Sequence, residues 1–194
     1  MQTLNLTAEL ERLIAHIAAT HEEFRHLEPE RLLVCVSSTR GGGVHGAYAK
    51  IHPLRFEGGL TSTQVRRGRR SYLCTMPTIT HRDQEMLYLI YFLVPRFLNL
   101  TLREKLITIF HELYHISPAF DGDIRRFPGR NFAHGSSCRR YNALMGRFVD
   151  EYLAMPGVAE QVDFLKGNQV EMRARYRSIV GRKMAAPRLK LTPA

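Results

Sequence analysis

Two histidines four residues apart, with a glutamate directly after the first, are the residues of this sequence best suited to chemistry. They lie in the segment HELYH, from His111 to His115. On a helix, positions i and i+4 project from one face, so both imidazoles can bind one metal ion while Glu112 lies beside them. Zinc held by nitrogen ligands lowers the pKa of its bound water to about 7, and an adjacent carboxylate can accept the released proton. The spacing therefore predicts a metal-dependent hydrolytic site.

The alternative is an ordinary amphipathic helix whose two histidines lie at the surface. In a chain with nine histidines, an HExxH arises by chance with odds of roughly two to three in a hundred. The surrounding sequence favours a real helix, because TLRE (Thr101 to Glu104) has the form of a capping box. An apolar stripe follows it at helical spacing and stops before Ser117-Pro118: Leu102, Leu106, Ile109, Phe110 and Leu113.

A catalytic zinc ion takes three protein ligands and keeps one position open. His134 follows His115 after eighteen intervening residues and begins the next predicted helix, so it is the leading candidate for the third ligand. Asp121 and Asp123 in FDGDIRR are nearer, but an Asp-Gly-Asp stretch is typical of a turn with solvated carboxylates. Glu151 lies at the far end of the next helix and is the remaining alternative.

The order of predicted elements is a helix, a group of strands and then more helices, which indicates an α+β domain with a small mixed sheet. We predict a single domain over residues 1–183 and a flexible basic tail over 184–194. The predicted elements are a helix over Leu6 to Phe24, strands over Arg31 to Ser38, Ala47 to Phe56, Ser71 to Ile79 and Met86 to Val94, and a helix from Tyr141 to Leu153.

Charge and composition narrow the classes of protein. The net charge of +10 and the pI near 9.9 make nucleic acid a candidate partner, with a solvated basic surface as the alternative. No apolar run approaches the about 20 residues of a membrane span, and the N-terminus does not have the form of a signal peptide. Three scattered cysteines favour a reducing, cytoplasmic location. Motifs of serine hydrolases and P-loop NTPases are absent.

The motif and its flanking residues also carry a family resemblance. HExxH, a polar loop and then HG at the start of an amphipathic helix resemble the SprT-like zincin metallopeptidases, which include the Spartan proteases. The longer stretch PRFLNLTLREKLITIFHELYHISPAFDGDIRRF…HG more closely resembles a bacterial and phage family of metallopeptidases, from about Leu32 to Leu153. The chain differs from SprT-like proteins in its longer loop between the second and third histidines and in lacking a C-terminal cysteine zinc ribbon.

The resemblance implies a zincin-like fold with zinc ligands at His111, His115 and His134 and Glu112 as the catalytic carboxylate. The expected reaction is hydrolysis of a peptide bond in a protein or peptide substrate, with Glu112 as general base and then general acid. Tyr141 lies seven residues after His134, on the same helix face, and is a candidate donor to the oxyanion, with core packing as the alternative.

Two further hypotheses concern substrates and partners. The apolar run MLYLIYFLV (Met86 to Val94) has two structural interpretations, a buried strand or a helix, and the strand is favoured. As a strand it is either part of the core or the strand beside which an extended substrate lies. Other functions that fit the same residues are a basic nucleic-acid-associated protein with a structural zinc site, a SprT-like protease acting on DNA-bound proteins, and a metal-dependent hydrolase with a different substrate.

Overall fold

The first helix forms where apolar residues recur at helical spacing. In the computed structural model, which describes residues 2–39, 46–128 and 138–193 (for Cys138 the main chain only), α1 spans Leu6–Thr20. Asn5 caps it by accepting a hydrogen bond from the Ala8 amide at 3.2 Å, as a helix N-terminus requires. The predicted helix extended to Phe24; the structure ends α1 at Thr20 and continues in a 3-10 turn, Glu22–Phe24.

A three-stranded mixed sheet carries the core against which α1 packs. Its order is β2 (Leu32–Ser38), β8 (Tyr88–Val94) and β3 (Ala49–Pro53). β2 runs parallel to β8 and β3 runs antiparallel to it. The strand predicted from MLYLIYFLV is therefore confirmed, and its nearly continuous apolar run suits a strand that is paired on both edges and buried on both faces.

The position of β8 also corrects the hypothesis that an extended substrate lies beside it. Both edges of β8 are occupied by β2 and β3, so no main-chain group of this strand is left to pair with a peptide. The other interpretation, a buried core strand, is the one that the structure supports. The antiparallel edge strand of this sheet is β3.

Four further pairings surround the central sheet. A second sheet has the order β10 (Lys190–Pro193), β5 (Arg70–Thr75), β4 (Ser62–Arg67). The hairpin of β6 (Ile79–His81) and β7 (Gln84–Met86) leads into β8, and β1 (Thr3–Asn5) pairs in parallel with β9 (Ser178–Val180). β4 lies outside the strands that the sequence predicted. The sequence also predicted a flexible tail over 184–194; residues 190–193 of that range form β10, and the domain boundary at 183 stays a prediction.

The helical half begins with α2 (Leu102–Tyr114) and α3 (Cys138–Leu153). The predicted capping box is confirmed: Thr101 accepts from the Glu104 amide, and the Glu104 carboxylate accepts from the Thr101 amide at 2.9 Å. Two shorter helices follow, α4 (Val158–Gln161) and α5 (Gln169–Arg175). The fold class, a mixed α+β domain, is as predicted. Within the described residues, no helix is both long and apolar enough to cross a membrane.

A buried lysine fixes α2 to the segment between α4 and α5. The Lys105 side chain is fully buried, and its Nζ donates to the carbonyls of Leu165 at 2.7 Å and Gly167 at 2.6 Å. Burial lowers the pKa of Lys105 to about 8, because desolvation disfavours the ammonium form. The two carbonyls supply the partners that a buried lysine needs. The N-terminal half of α2 is thereby held in one position relative to the rest of the domain.

Candidate metal centre

The two histidines of α2 direct their Nε2 atoms at one place. The Nε2 atoms of His111 and His115 lie 3.1 Å apart, and the ring centroids lie 4.7 Å apart. Two nitrogens that each bind a tetrahedral zinc ion at about 2.0–2.1 Å lie about 3.3 Å from each other. The observed separation is therefore compatible with a shared zinc ion. The same separation also suits a hydrogen bond between the two imidazoles, in which one Nε2 donates and the other accepts.

Glu112 is buried between α2 and the edge strand β3. Glu112 is only 7% exposed. Desolvation raises the pKa of Glu112 to about 7, and a main-chain hydrogen bond from Ile51 opposes the rise. Hydrogen bonds from Leu93 N to Tyr48 O and from Leu54 N to Leu87 O set the register of β3. In that register the Ile51 N–H is directed away from β8, toward Glu112.

Tyr141 is brought to the histidine pair by the packing of α3 on α2. Its ring stacks on His115 with centroids 5.8 Å apart and meets His111 edge-on at 5.0 Å. The Tyr141 hydroxyl donates to the main-chain carbonyl of His111 at 3.4 Å. The residue is 5% exposed, and burial raises the pKa of its phenol. Tyr141 thus has both a packing contact with the imidazoles and a hydroxyl near the site.

The loop after α2 closes over the end of the helix. Arg125 donates from Nε to the Tyr114 carbonyl at 3.0 Å and from its main-chain amide to the His115 carbonyl at 2.7 Å. Its guanidinium also lies 4.0 Å from the centroid of the Tyr114 ring and pairs with Glu23 at 3.1 Å. A helix C-terminus leaves its last carbonyls without intrahelical donors, and Arg125 supplies two of the missing hydrogen bonds.

The loop aspartates have partners within the loop. Asp123 is buried and forms a two-point ion pair with Arg126, at 2.9 and 3.1 Å. Asp121 Oδ1 accepts from the Asp123 amide at 3.1 Å. The Tyr88 hydroxyl donates to the Asp123 carbonyl at 2.8 Å and accepts from the Gly122 amide at 2.9 Å. Glycine is required at 122, because its φ is +88° and a Cβ there would lie 2.5 Å from Arg55 Cγ.

The other candidate ligands are distributed as follows. Glu151 lies on α3 with its carboxylate 3.6 Å from His21. Among the residues that the structure describes, no third histidine, cysteine or carboxylate joins His111 and His115 in a cluster. His134 lies outside the described residues, so its place as third ligand stays a prediction.

Sequence reasoning missed two groups that build this site. The Ile51 amide contacts Glu112 through the main chain, and no side-chain pattern signals such a contact. Tyr88 was part of an apolar strand in the sequence, and its hydroxyl was the one available signal, because a buried tyrosine needs a hydrogen-bond partner.

The comparison with known families assigns the sequence to a class of protein. The family model described as putative phage metallopeptidase matches residues 4–149, which include all of the central sheet, α2 and most of α3. The chain belongs to that family. A search of curated proteins finds no match, and a search of solved structures finds none.

We expect Tyr88→Phe to destabilise the protein by about 1–3 kcal/mol, because it leaves the buried Gly122 amide without its acceptor and the Asp123 carbonyl with one donor fewer. The measurement is urea unfolding. Tyr91→Phe is the matched control: its hydroxyl bonds the Ala185 carbonyl at 3.2 Å in a half-buried position, so the loss there should be smaller. Equal losses in the two variants would show that the Tyr88 hydroxyl does not hold the loop.

Proposed function

We propose that this protein is a zinc-dependent peptidase in which Glu112 moves the proton of the attacking water. Membership of a metallopeptidase family supports the reaction class. The observation that carries the proposal is the convergence of the His111 and His115 Nε2 atoms at 3.1 Å, with a buried carboxylate on the residue between them. Surface histidines of an ordinary amphipathic helix have no reason to lie beside a desolvated glutamate.

The proposed zinc ligands are His111, His115 and His134. In support, the loop alternatives Asp121 and Asp123 are engaged by their own loop, and Glu151 lies beside His21. When bound, zinc supplies a more acidic water and a positive charge beside the scissile carbonyl. A site with three protein ligands keeps a position open for this chemistry.

Glu112 then acts as general base and general acid. Its carboxylate accepts the proton of the attacking water and delivers it to the nitrogen of the leaving amine, so that one group serves both halves of the hydrolysis. The Ile51 amide is directed at the carboxylate and favours its charged form, which is the form that accepts a proton. The bracing of α2 by Lys105 and Arg125 keeps that geometry constant during the reaction.

In this proposal, the peptide substrate lies in extended form beside β3. In the register set by β8, Ala49 and Ile51 direct their main-chain groups away from β8, at the edge of the sheet nearest Glu112. An extended peptide can pair with such an edge through main-chain hydrogen bonds. This placement brings a scissile bond to the end of α2 without requiring a pocket for a particular side chain.

Zinc content tests the ligand set. We expect about one zinc ion per chain in the wild type and a clear loss in His111→Ala and in His134→Ala, because each removes one of three ligands. The measurement is elemental analysis of purified protein, with His81→Ala as a control that keeps its zinc. Full occupancy in His134→Ala would remove that residue from the site, and a wild type without zinc after reconstitution would contradict the proposal as a whole.

Activity of Glu112→Gln tests the reaction. We expect this variant to keep its zinc and to lose kcat/KM for an unfolded protein substrate by at least about a hundredfold, since general acid–base catalysis contributes about 10²–10⁴. Glu160→Gln, on the exposed surface of α4, is the control and should retain full activity. Undiminished hydrolysis by Glu112→Gln would refute the catalytic assignment. A wild type that holds zinc but cleaves no protein would favour a structural zinc site.

Tyr141 is the proposed donor to the oxyanion, to which its hydroxyl turns from the long 3.4 Å hydrogen bond with the His111 carbonyl, and Tyr141→Phe tests it. Because phenylalanine keeps the ring contacts with His111 and His115, we expect retained zinc and an unchanged KM, with kcat lowered by about 10²–10³. Tyr114→Phe, a neighbouring buried tyrosine, is the control. If Tyr141 serves packing alone, kcat will be the same in both variants and in the wild type.

A further inference from the structure

Four arginines surround the turn of the β4–β5 hairpin. The strands are joined by the two residues Gly68-Arg69, with Gly68 at φ +61°. A glycine with positive φ at the first position is the pattern of a type II′ turn, whose twist suits a tight hairpin. The sequence RRGRR is therefore a folded β-ribbon tip, and its arginines have fixed places on it: Arg66, Arg67, Arg69 and Arg70.

These arginines have no anionic partner in the part of the chain that the structure describes. All four are exposed, and none forms an ion pair there, whereas Arg55, Arg103, Arg125 and Arg126 all do. Arg67 and Arg70 lie directly opposite each other in the antiparallel ladder. Like charges at directly opposite positions are destabilising, so the tip is a site of uncompensated positive charge that an external anion would relieve.

The hairpin is also separate from the central sheet, whose strand β3 lies beside the candidate metal centre. β4 and β5 pair with each other and with β10, and none of these strands joins β2, β8 or β3. β10 adds Lys190 to the same small sheet, opposite Thr75 and thus at the end of β5 away from the tip. The basic tip can therefore make a contact of its own without rearranging the strand edge beside Glu112.

We propose that the β4–β5 hairpin binds duplex nucleic acid through its four arginines. The major groove of B-DNA admits a two-stranded β-ribbon, and phosphates on either side of the groove are then within reach of both strands of the tip. Arginine suits this partner because its planar guanidinium binds phosphate through two parallel hydrogen bonds. The five residues of the tip include no apolar side chain that could insert into a bilayer, which favours nucleic acid over a membrane surface.

A second explanation of the same arginines needs no partner. β4 is an edge strand, and charged side chains on an edge prevent association with other strands. A second basic surface also competes for any nucleic acid: a cavity of about 800 Å³ beside the ends of β2 and β8 has Arg173, Arg177 and Lys183 in its lining. The experiment must distinguish nucleic-acid binding by the hairpin from edge protection and from binding at the cavity.

The test uses the full chain and a labelled 20-base-pair duplex, with affinity measured by fluorescence anisotropy between 50 and 200 mM salt. The hairpin variant carries Arg→Gln at 66, 67, 69 and 70. The control variant carries Arg→Gln at 25, 147, 173 and 177, so both have the same net charge, and the control lacks two of the cavity arginines. Circular dichroism and unfolding in urea show whether each variant is folded.

We expect the hairpin variant to lose about a hundredfold in affinity at the lower salt relative to the wild type. The slope of log affinity against log salt should also fall by about 3–4, since each phosphate contact adds about 0.9. The control variant should keep most of the wild-type affinity and slope. A variant with Lys at the four hairpin positions should keep the slope and lose part of the affinity, which separates charge from a folding defect.

Three results would overturn the proposal. A wild type that does not bind duplex would leave edge protection as the role of the arginines. A larger loss of affinity in the control variant than in the hairpin variant would show that the duplex binds at the cavity or at the helical surface. Binding to vesicles of phosphatidylserine and phosphatidylcholine that exceeds binding to duplex, and is lost in the hairpin variant, would identify a membrane surface instead.

Discussion

The C-terminal end of α2 must place two imidazoles at one point. At the same place, the last carbonyls of the helix need hydrogen-bond donors from outside it. His111 and His115 lie in and directly after the last turn, where unsatisfied carbonyls are costly if buried. The Tyr141 hydroxyl, the Arg125 guanidinium and the Arg125 amide provide three donors. The geometry of the candidate metal centre therefore depends on the loop and on α3 as much as on the helix that carries the motif.

The same dependence extends to the start of the helix. The capping box at Thr101 contributes about 1 kcal/mol, and Lys105 connects the first turns to the carbonyls of Leu165 and Gly167. Breaking one partner of such a buried pair leaves a charge or a carbonyl without compensation, which costs more than the pair itself contributes. Packing alone could let α2 slide along its axis, but these directional contacts at both ends fix it, and with it the direction of both imidazoles.

How much of this could be predicted from the sequence differs with the range of the interaction. The capping box, the apolar stripe and the i, i+4 histidines are set by residues within one helix, and the element was predicted correctly. β4 was missing from the predicted strands because an exposed edge strand rich in arginine lacks the apolar alternation that marks a strand. The pairing of β1 with β9 joins Thr3 with Ser178, 175 positions apart, and no local sequence pattern predicts such a pairing. The Tyr88 contacts and the Ile51 amide belong to the same non-local class.

The burial of Glu112 connects α2 to β3, the proposed substrate edge. A carboxylate with little exposure needs donors, and the donor at Ile51 belongs to β3, an edge strand on which Ala49 and Ile51 direct their main-chain groups away from β8. Because the Ile51 amide is directed at Glu112, β3 can offer an extended peptide the Ala49 amide and carbonyl and the carbonyls of Ile51 and Pro53. Pro53 has no N–H to add. A peptide bound at the proposed edge therefore receives few main-chain hydrogen bonds from β3. Its position relative to α2 then depends on how the Ile51 amide and the Glu112 carboxylate orient each other.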